Sequence, residues 1–389
     1  MISGWREVIL QDVVEKFIDY RGKTPQKTTS GIPLVTAKIV KNGTILEPNE
    51  FVTEETYKNF MTRGFPNIDD VVLTTEAPLG EVALLKDDSV ALAQRIILIR
   101  GKENILNNAY LKYFLQSEEG QYRLDSRASG TTVFGIKASV LKEMPIIVPS
   151  YKEQKAIAEV LSSLDDKIDL LHRQNKTLEE LAQTLFRQWF TEEAKDEWEV
   201  GTLDEIMDFN PTHSLKKGEI YPFLEMGNVQ TFKSSVADWY GRAFTSGTKF
   251  KNGDTLLARI TPSLENGKTA YVDFLEENEI GWGSTEFIVM RMKENYHPFI
   301  SYLIARNEDF REFAVGNMTG STGRQRVQAK DLEKYEISIP PIAVIDKLNE
   351  SIKDIPTKIK ANSVQIKTLE NMRDTLLPKL MSGEVKVEL

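Results

Sequence analysis

The stretch IAEVLSSLDDKIDLLHRQNKTLEELAQTLFRQWF, residues 157–190, decides the fold of this chain. Its apolar side chains recur at alternating steps of four and three residues, the heptad pattern of a helix with one apolar seam. The seam consists of Ile157, Leu161, Leu164, Ile168, Leu171, Leu178, Ala182, Leu185 and Trp189, with Asn175 in its one gap. At about 1.5 Å per residue, the predicted helix is about 48 Å long.

A second seam of the same kind lies near the C-terminus. It consists of Ile345, Leu348, Ile352, Ile355, Ile359, Ile366, Leu369, Leu376 and Leu380, with Asn362 and Arg373 in its gaps. Pro356 predicts a kink or a fresh helix start, because it lacks the N–H that a helix interior needs. We expect the two seams to pack on each other, with Asn175 and Asn362 setting the register. The alternative is that each helix packs on its own globular domain, and the spacing does not decide between parallel and antiparallel packing.

Six short matches in the same order indicate that the chain is two copies of one unit. Trp5, Leu10 and Val13 recur as Trp198, Leu203 and Ile206, and residues 110–115 recur as 299–304. The other matches pair 33–35 with 222–224, 130–132 with 320–322, 146–149 with 337–340, and 177–179 with 368–370. Every offset lies between 189 and 193 residues, so the repeat covers the whole chain.

Each copy begins with about 150 residues of mixed character, the size of one ordinary domain. Residues 32–35, 70–74 and 286–291 have strand-like composition, whereas residues 108–116 and 298–306 have helical patterns. The runs after Pro145 and at the matching Glu336 are expected to close each domain. The fold class is therefore α/β (α+β), with two repeated globular domains separated by two long helices.

Composition excludes several classes of protein. The chain has 389 residues, of which 41% are hydrophobic and 28% charged, a composition typical of soluble globular proteins. The absence of cysteine excludes a disulfide framework, a thiolate zinc site and a cysteine nucleophile. The start lacks the apolar core of a signal peptide, and no apolar run reaches the roughly 18 residues of a membrane helix. We therefore expect a soluble, cytoplasmic protein.

The net charge of −9 argues at first against a nucleic-acid partner, since phosphate binding needs Lys and Arg. The charge is unevenly distributed, however. Residues 1–150 sum to −1, residues 151–200 to −5, residues 201–340 to −4 and residues 341–389 to +1. Much of the acidity lies in one short stretch, so a local basic face elsewhere is compatible with the total.

Enzyme motifs are missing from the sequence. Residues 262–269, PSLENGKT, end like a phosphate-binding loop, but Pro262 occupies the place of the first glycine and residues 270–274 read as a strand. No two of the three histidines have metal-ligand spacing, and no carboxylate pair has an acid–base context. The sequence predicts no catalytic residue, no metal site and no cofactor in this chain.

Polar loops at matching positions in both copies are the remaining candidates for function. They are rich in glycine, hydroxyl groups and cations, which suits contacts with phosphates and base edges. The candidate DNA-binding residues are Thr36, Lys38, Gln94, Arg95, Gly130, Thr131, Thr132, Lys137, Arg259, Lys268, Thr285, Ser321, Thr322, Arg324 and Arg326. An ordinary solvated loop is the alternative for each of them, and only their repetition favours binding.

The two helices carry a resemblance to a known family. Residues 164–168 (LDDKI), 174–182 (QNKTLEELA) and 185–190 (LFRQWF), with 368–370 (TLE) and 373–384 (RDTLLPKLMSGE), resemble the conserved regions of type I restriction–modification specificity subunits. The resemblance implies target recognition domains at 1–150 and 192–341, a central conserved helix at 151–191, and a C-terminal conserved helix and tail at 342–389. It also implies an antiparallel coiled coil and pseudo-twofold symmetry.

The same resemblance implies partners. It predicts binding to double-stranded DNA, to two methyltransferase subunits and, in the full complex, to restriction subunits. Adenine methylation and ATP-dependent cleavage, with their S-adenosylmethionine, ATP and Mg²⁺, would belong to those partners. The family's base-contacting residues vary too much to be transferred, so the loop residues above rest on their chemistry alone.

Two similar domains on a stiff spacer suit a split DNA site. The copies differ, for example at 132–134 (TVF) against 322–324 (TGR), so we expect two different half-sites around an unread spacer. A protein–protein scaffold with two adaptor domains on a coiled coil explains the repeat and the acidity equally well. A self-contained methyltransferase or nuclease would need catalytic motifs that are absent.

Overall fold

The computed structural model describes residues 4–130, 134–192 and 198–388. The chain divides into two compact units. The first unit comprises Met1–Ile168 together with Leu369–Leu389, and the second comprises Asp169–Thr368.

The first unit is built on a four-stranded antiparallel sheet. The strands of the whole first unit are β1 (Arg6–Ile9), β2 (Val14–Asp19), β3 (Ile32–Val35), β4 (Val40–Lys41), β5 (Thr44–Ile45), β6 (Phe51–Val52), β7 (Val71–Thr75), β8 (Leu79–Leu84), β9 (Ala91–Leu92), β10 (Ile96–Gly101) and β11 (Pro145–Val148). The main sheet has the order β2-β10-β7-β8, and a smaller sheet has the order β6-β3-β9. The first and last strands, β1 and β11, pair antiparallel and close the unit, as the sequence predicted.

The second unit repeats this arrangement. Its strands are β12 (Glu199–Thr202), β13 (Met207–Phe209), β14 (Ile220–Leu224), β15 (Tyr240–Ala243), β16 (Thr248–Phe250), β17 (Thr255–Ala258), β18 (Thr269–Tyr271), β19 (Gly281–Gly283), β20 (Phe287–Met292) and β21 (Glu336–Ile339). The main sheet is β13-β20-β17-β18, the smaller one is β15-β14-β19-β16, and β12 pairs with β21. The corresponding strand orders confirm the duplicated, mixed fold. Strand β18 covers residues 269–271 and so overlaps only the first part of the strand predicted at 270–274.

Helices cover one face of each main sheet and also connect the repeats. They are α1 (Leu10–Val13), α2 (Glu54–Phe60), α3 (Asn108–Gln116), α4 (Glu118–Asp125), α5 (Ala138–Lys142), α6 (Tyr151–Arg187), α7 (Leu203–Ile206), α8 (Ile300–Arg306), α9 (Glu308–Gly316), α10 (Ala329–Leu332), α11 (Ile342–Ile352) and α12 (Asp354–Met381). A π-helical turn, Gln188–Glu192, follows α6, and a 3₁₀ turn spans Met226–Asn228. None of the helices in the described ranges is long and apolar enough to cross a membrane.

The long helices are α6 and α12, and Pro356 lies in the first turn of α12 rather than at a kink. Of the two alternatives predicted at Pro356, a kink or a fresh helix start, the structure shows the fresh start. Helix α11 ends at Ile352, and α12 begins at Asp354, so the second predicted seam is divided between two helices. A second proline, Pro378, lies inside α12 near its end.

The predicted seam residues are all buried or half-buried. Ile157, Leu161, Ile168, Leu171, Ile352, Ile355, Ile359, Asn362 and Ile366 are buried, whereas Leu164, Asn175, Leu178, Leu185, Leu369 and Leu376 are half-buried. Both predicted kinds of packing occur: the long helices pack on each other and also on the globular domains. In the first unit, Ile157 and Leu161 share one core with Tyr110 of α3 and with Leu380 of α12.

Within the second unit, the pairing of α6 with α12 is antiparallel. Asn175 contacts α12 at residues 359–363, whereas Ala182 and Phe186, further along α6, share a core with Ile355 near the start of α12 and with Ile352 at the end of α11. The Asn362 amide nitrogen donates to the Asn175 amide oxygen at 2.8 Å, and the Asn175 nitrogen lies 3.3 Å from the Ser363 hydroxyl. Because Asn362 is only 2% exposed, this amide pair favours one register of the two helices.

A buried charge cluster joins three helices within the first unit. Asp165 of α6 accepts hydrogen bonds from Lys112 Nζ at 2.6 Å and from the Tyr113 hydroxyl at 2.7 Å, both on α3. Arg373 Nη1 of α12 lies 3.3 Å from the same carboxylate. Burial opposes ionisation of Asp165, but the two cations hold its pKa below the usual range. Burial lowers the pKa of Lys112 despite the adjacent carboxylate.

Candidate nucleic-acid interface

The first loop cluster gathers Arg21, Thr75, Glu76 and Arg95 where strands of the first unit end. Arg21 follows β2, Thr75 ends β7, and Arg95 precedes β10. The Glu76 carboxylate lies 3.3 Å from Arg95 Nε and 3.6 Å from Arg21 Nη2. The side chains of Arg21 and Arg95 are 37% and 49% exposed, so two guanidinium groups reach solvent around one carboxylate.

A loop of the first unit closes against this cluster. The Ser129 amide donates to the Gly135 carbonyl at 2.9 Å, and the Gly135 amide donates back at 3.2 Å. The Ile136 amide then donates to the Thr75 carbonyl at 3.0 Å, which fixes the loop to the end of β7. Gly130 is exposed at φ +134°, a backbone conformation that favours glycine. Thr131 and Thr132, which the sequence predicted to bind DNA, lie outside the described residues.

The second loop cluster comprises Arg259, Glu286 and Arg326, with Gln328 beside them. Arg326 Nε lies 2.9 and 3.0 Å from the two carboxylate oxygens of Glu286, and Arg326 Nη2 lies 2.7 Å from one of them. Arg259 Nε is 3.9 Å from Glu286, and Arg259 Nη2 donates to Gln328 Oε1 at 2.9 Å. The Arg326 guanidinium holds the pKa of Glu286 below its usual range, so this carboxylate is ionised at neutral pH.

Backbone hydrogen bonds show that the two clusters occupy equivalent positions. The Thr75 amide donates to the Arg95 carbonyl, and the Arg259 amide donates to the Glu286 carbonyl, each at 2.9 Å. The Thr75 carbonyl accepts from Ile136, as the Arg259 carbonyl accepts from Val327.

Isolated backbone bridges complete the correspondence. Glu76 pairs with Gly135 in the first unit, and Ile260 pairs with Arg326 in the second. The side chains at matching positions therefore differ in charge. The pairs are Thr75 with Arg259, Glu76 with Ile260, Arg95 with Glu286, and Gly135 with Arg326.

The structure brings together only part of the predicted binding set. Arg95 lies in the first cluster, and Arg259 and Arg326 lie in the second, whose Glu286 directly follows Thr285 in sequence. The exposed members of the predicted set are Lys38, Arg95, Gly130, Lys137, Thr285, Ser321, Thr322 and Arg324. Gln94 is half-buried beside Arg95.

The side chains of two residues predicted to bind DNA, Thr36 and Lys268, are buried or hydrogen-bonded within the first or second unit rather than free on the loop surface. Thr36 is 8% exposed because it directly follows the buried residues of β3, so its hydroxyl does not lie on the exposed loop surface. Lys268 is half-buried, and its ammonium donates to the Met226 carbonyl at 2.9 Å.

Sequence reasoning missed the two carboxylates at the cluster centres. Glu76 and Glu286 have no DNA-binding signal in the sequence, because cations, hydroxyls and glycines are the groups that suit phosphates. Their position was nevertheless open to inference, since each adjoins a strand end and Glu286 directly follows the predicted Thr285.

Known proteins share this duplicated arrangement. The family model described as type I restriction modification DNA specificity domain matches residues 2–180 and again residues 195–370. The type I restriction enzyme MjaIX specificity subunit of Methanocaldococcus jannaschii is 29% identical over 384 residues, covering 92% of this chain and 87% of the relative. The type I restriction enzyme EcoAI specificity subunit of Escherichia coli is 34% identical over 164 residues, covering 39% of this chain and 26% of the relative.

One solved structure shares the fold over almost the whole chain. It is the crystal structure of a type I restriction–modification system S subunit from M. genitalium, with a TM-score of 0.61 at 19% identity. The similarity covers 97% of this chain and 96% of that one.

Proposed function

The chain belongs to the type I restriction–modification DNA specificity family and is a specificity subunit, and from this premise we propose that each of its two units reads one half of an asymmetric, two-part DNA target. A specificity subunit is a non-catalytic recognition component of its complex. Adenine methylation and ATP-dependent cleavage therefore belong to the partner subunits in this proposal, together with their S-adenosylmethionine, ATP and Mg²⁺.

The observation that supports an asymmetric target is the difference between the two loop clusters. Their backbone hydrogen bonds correspond, yet one has Glu76 and Arg95 where the other has Ile260 and Glu286. Bases are distinguished by the positions of the donors and acceptors on their edges. Two loop clusters with the same backbone arrangement but different charges are therefore expected to select different bases. Two identical clusters would instead favour two identical half-sites.

Charge supports a role for partner subunits in affinity. The second cluster combines Arg259 and Arg326 with Glu286, and the exposed Arg324 lies two residues before Arg326. With a net charge of −9, however, the whole chain is expected to bind a polyanion such as DNA poorly. We expect two methyltransferase subunits to supply much of the phosphate contact, and restriction subunits to join them in the full, cytoplasmic complex.

The paired helices are the proposed spacer and docking site for the methyltransferase subunits. The Asn175–Asn362 pair and the Asp165 cluster favour one alignment of α6 with α12. A fixed alignment of these helices suits a spacer whose length is set by geometry and whose bases are not read.

The decisive experiment is selection from random duplex DNA by the chain assembled with its methyltransferase subunit. An asymmetric motif in two parts with a fixed gap is the expected result. A continuous or palindromic motif would contradict the proposal. A stable complex that enriches no DNA sequence would favour a protein–protein scaffold instead.

A further inference from the structure

We infer that Glu286 positions Arg326 to read a guanine in the half-site recognised by the second unit. This inference deepens the proposed function and rests on it. It assigns a base-reading role to one side chain and a positioning role to another.

The geometry of the pair leaves one edge of the Arg326 guanidinium open. Glu286 occupies the side edge, formed by Nε and one N–H of Nη2, at 2.7–3.0 Å. Nη1 donates one hydrogen bond to the Arg324 carbonyl at 3.2 Å. Each of Nη1 and Nη2 therefore retains one N–H beyond these hydrogen bonds, and the side chain is 37% exposed. These two remaining N–H groups have no hydrogen-bond acceptor among the residues that the structure describes.

The open edge matches guanine in the major groove. Guanine presents its O6 and N7 acceptors side by side, and a guanidinium outer edge satisfies both at once. The carboxylate of Glu286 holds the plane of the guanidinium before DNA arrives, which reduces the rotamer freedom lost on binding. Its negative charge also offsets the attraction of Arg326 for a phosphate, so the pair favours a base edge over the backbone.

Arg324 provides an internal contrast two residues away. Its side chain is exposed and makes no hydrogen bond or ion pair among the described residues. An exposed arginine of this kind suits a phosphate, which every DNA sequence offers. The first unit has Gly135 at the position of Arg326, so it has no equivalent reader there.

The test compares four variants of the chain, each assembled with its methyltransferase subunit. The variants are Arg326→Lys, Glu286→Gln, Arg324→Gln and Glu76→Gln, and each is checked for assembly and thermal unfolding before selection from random DNA. Arg326→Lys is expected to lower the preference for guanine at one position of one half-site by about 10- to 100-fold. Glu286→Gln is expected to weaken the same preference by less, with the other half-site unchanged.

The remaining variants are matched controls. Arg324→Gln is expected to weaken binding to all sequences and to lower the salt dependence by about one unit of slope, without changing the motif. Glu76→Gln is expected to alter only the other half-site. An unchanged motif in both Arg326→Lys and Glu286→Gln would overturn the inference, as would a uniform loss of affinity in Arg326→Lys.

A measurement on the unaltered chain covers the case in which a variant fails to assemble. Each guanine of the selected motif is replaced in turn by 7-deazaguanine, which lacks the N7 acceptor. About a 10-fold loss of affinity at one guanine of the affected half-site is expected. A half-site without guanine, or one indifferent to these replacements, would overturn the inference while leaving the two-part target intact. Failure of the unaltered complex to select any motif would instead refute the proposed function itself.

Discussion

The Asp165 cluster makes a quantitative prediction about how the helices are attached to the first unit. Asp165→Asn removes the carboxylate that neutralises Lys112, whose side chain is 6% exposed. Breaking a buried ion pair by removing one partner costs about 3–5 kcal/mol. This loss of unfolding free energy has an upper limit, because Lys112 can lose its proton rather than remain charged without a partner. With a usual lysine pKa, deprotonation at pH 7 costs about 5 kcal/mol, and at pH 9 it costs about 2 kcal/mol.

The sign of the pH dependence follows from this upper limit. In the variant, the folded chain with a neutral Lys112 binds fewer protons than the unfolded chain, so its stability rises with pH. The loss of unfolding free energy should therefore shrink between pH 7 and pH 9. Urea-induced unfolding followed by circular dichroism at both values measures it.

Two controls separate the cluster from ordinary surface charge. Glu159→Gln removes an exposed partner of Lys155 on the same helix, at 3.7 Å, and should cost less than about 0.5 kcal/mol. The double variant Lys112→Met/Asp165→Leu replaces the ion pair by apolar groups and should recover part of the lost stability, because the Tyr113 hydroxyl and Arg373 still lose their carboxylate partner. A loss below about 1 kcal/mol for Asp165→Asn at pH 7, or a loss that does not change with pH, would refute the reasoning.

Further predictions concern the helix pair and its attachment to the second unit. Asn362→Ala should lower the unfolding free energy by about 1–3 kcal/mol, because it leaves the Asn175 amide oxygen without its donor. The double variant Asn175→Leu/Asn362→Leu should restore stability. Equal urea midpoints for the single variant and the parent chain would contradict this prediction. Burial raises the pKa of Asp273 to about 6, so the folded chain retains a proton that the unfolded chain has released, and stability falls as pH rises from about 4 to 6. Asp273→Asn should therefore stabilise the chain by up to about 3 kcal/mol at pH 8 and by nothing below about pH 4, and a thermal shift independent of pH would contradict that. Inserting four residues in α6 between Ile168 and Thr177, with four more in α12 between Lys360 and Leu369, adds about 6 Å of helix. The selected motif should then have a spacer longer by one or two base pairs between unchanged half-sites, whereas altered half-sites around an unchanged spacer would contradict the proposed role of the helices.

The sequence was most informative where its patterns are periodic or repeated. The heptad steps around Asn175 predicted the seam, because side chains three and four residues apart share one face of a helix. The repeat predicted the duplicated unit, and strands such as β7 and β20 fall within one residue of their predicted bounds.

The loop clusters were less accessible because their contacts join distant parts of the chain. Glu286 and Arg326 are 40 residues apart and meet only because the loop after α9 returns to the end of β17. Local composition does not encode such a meeting, and it cannot tell an arginine that faces a carboxylate from one that faces solvent. The burial of Thr36 has the same origin, since it depends on the strand that precedes it packing into the core.

The return of α12 to the first unit has a consequence for how the chain can be connected. Trp5, near the beginning, and Met381, near the end, belong to the same hydrophobic core. The order of the two repeats along the polypeptide is therefore not dictated by the packing that stabilises them. A circular permutant that joins the old ends and opens the chain between the repeats is therefore expected to retain every core contact described within each unit.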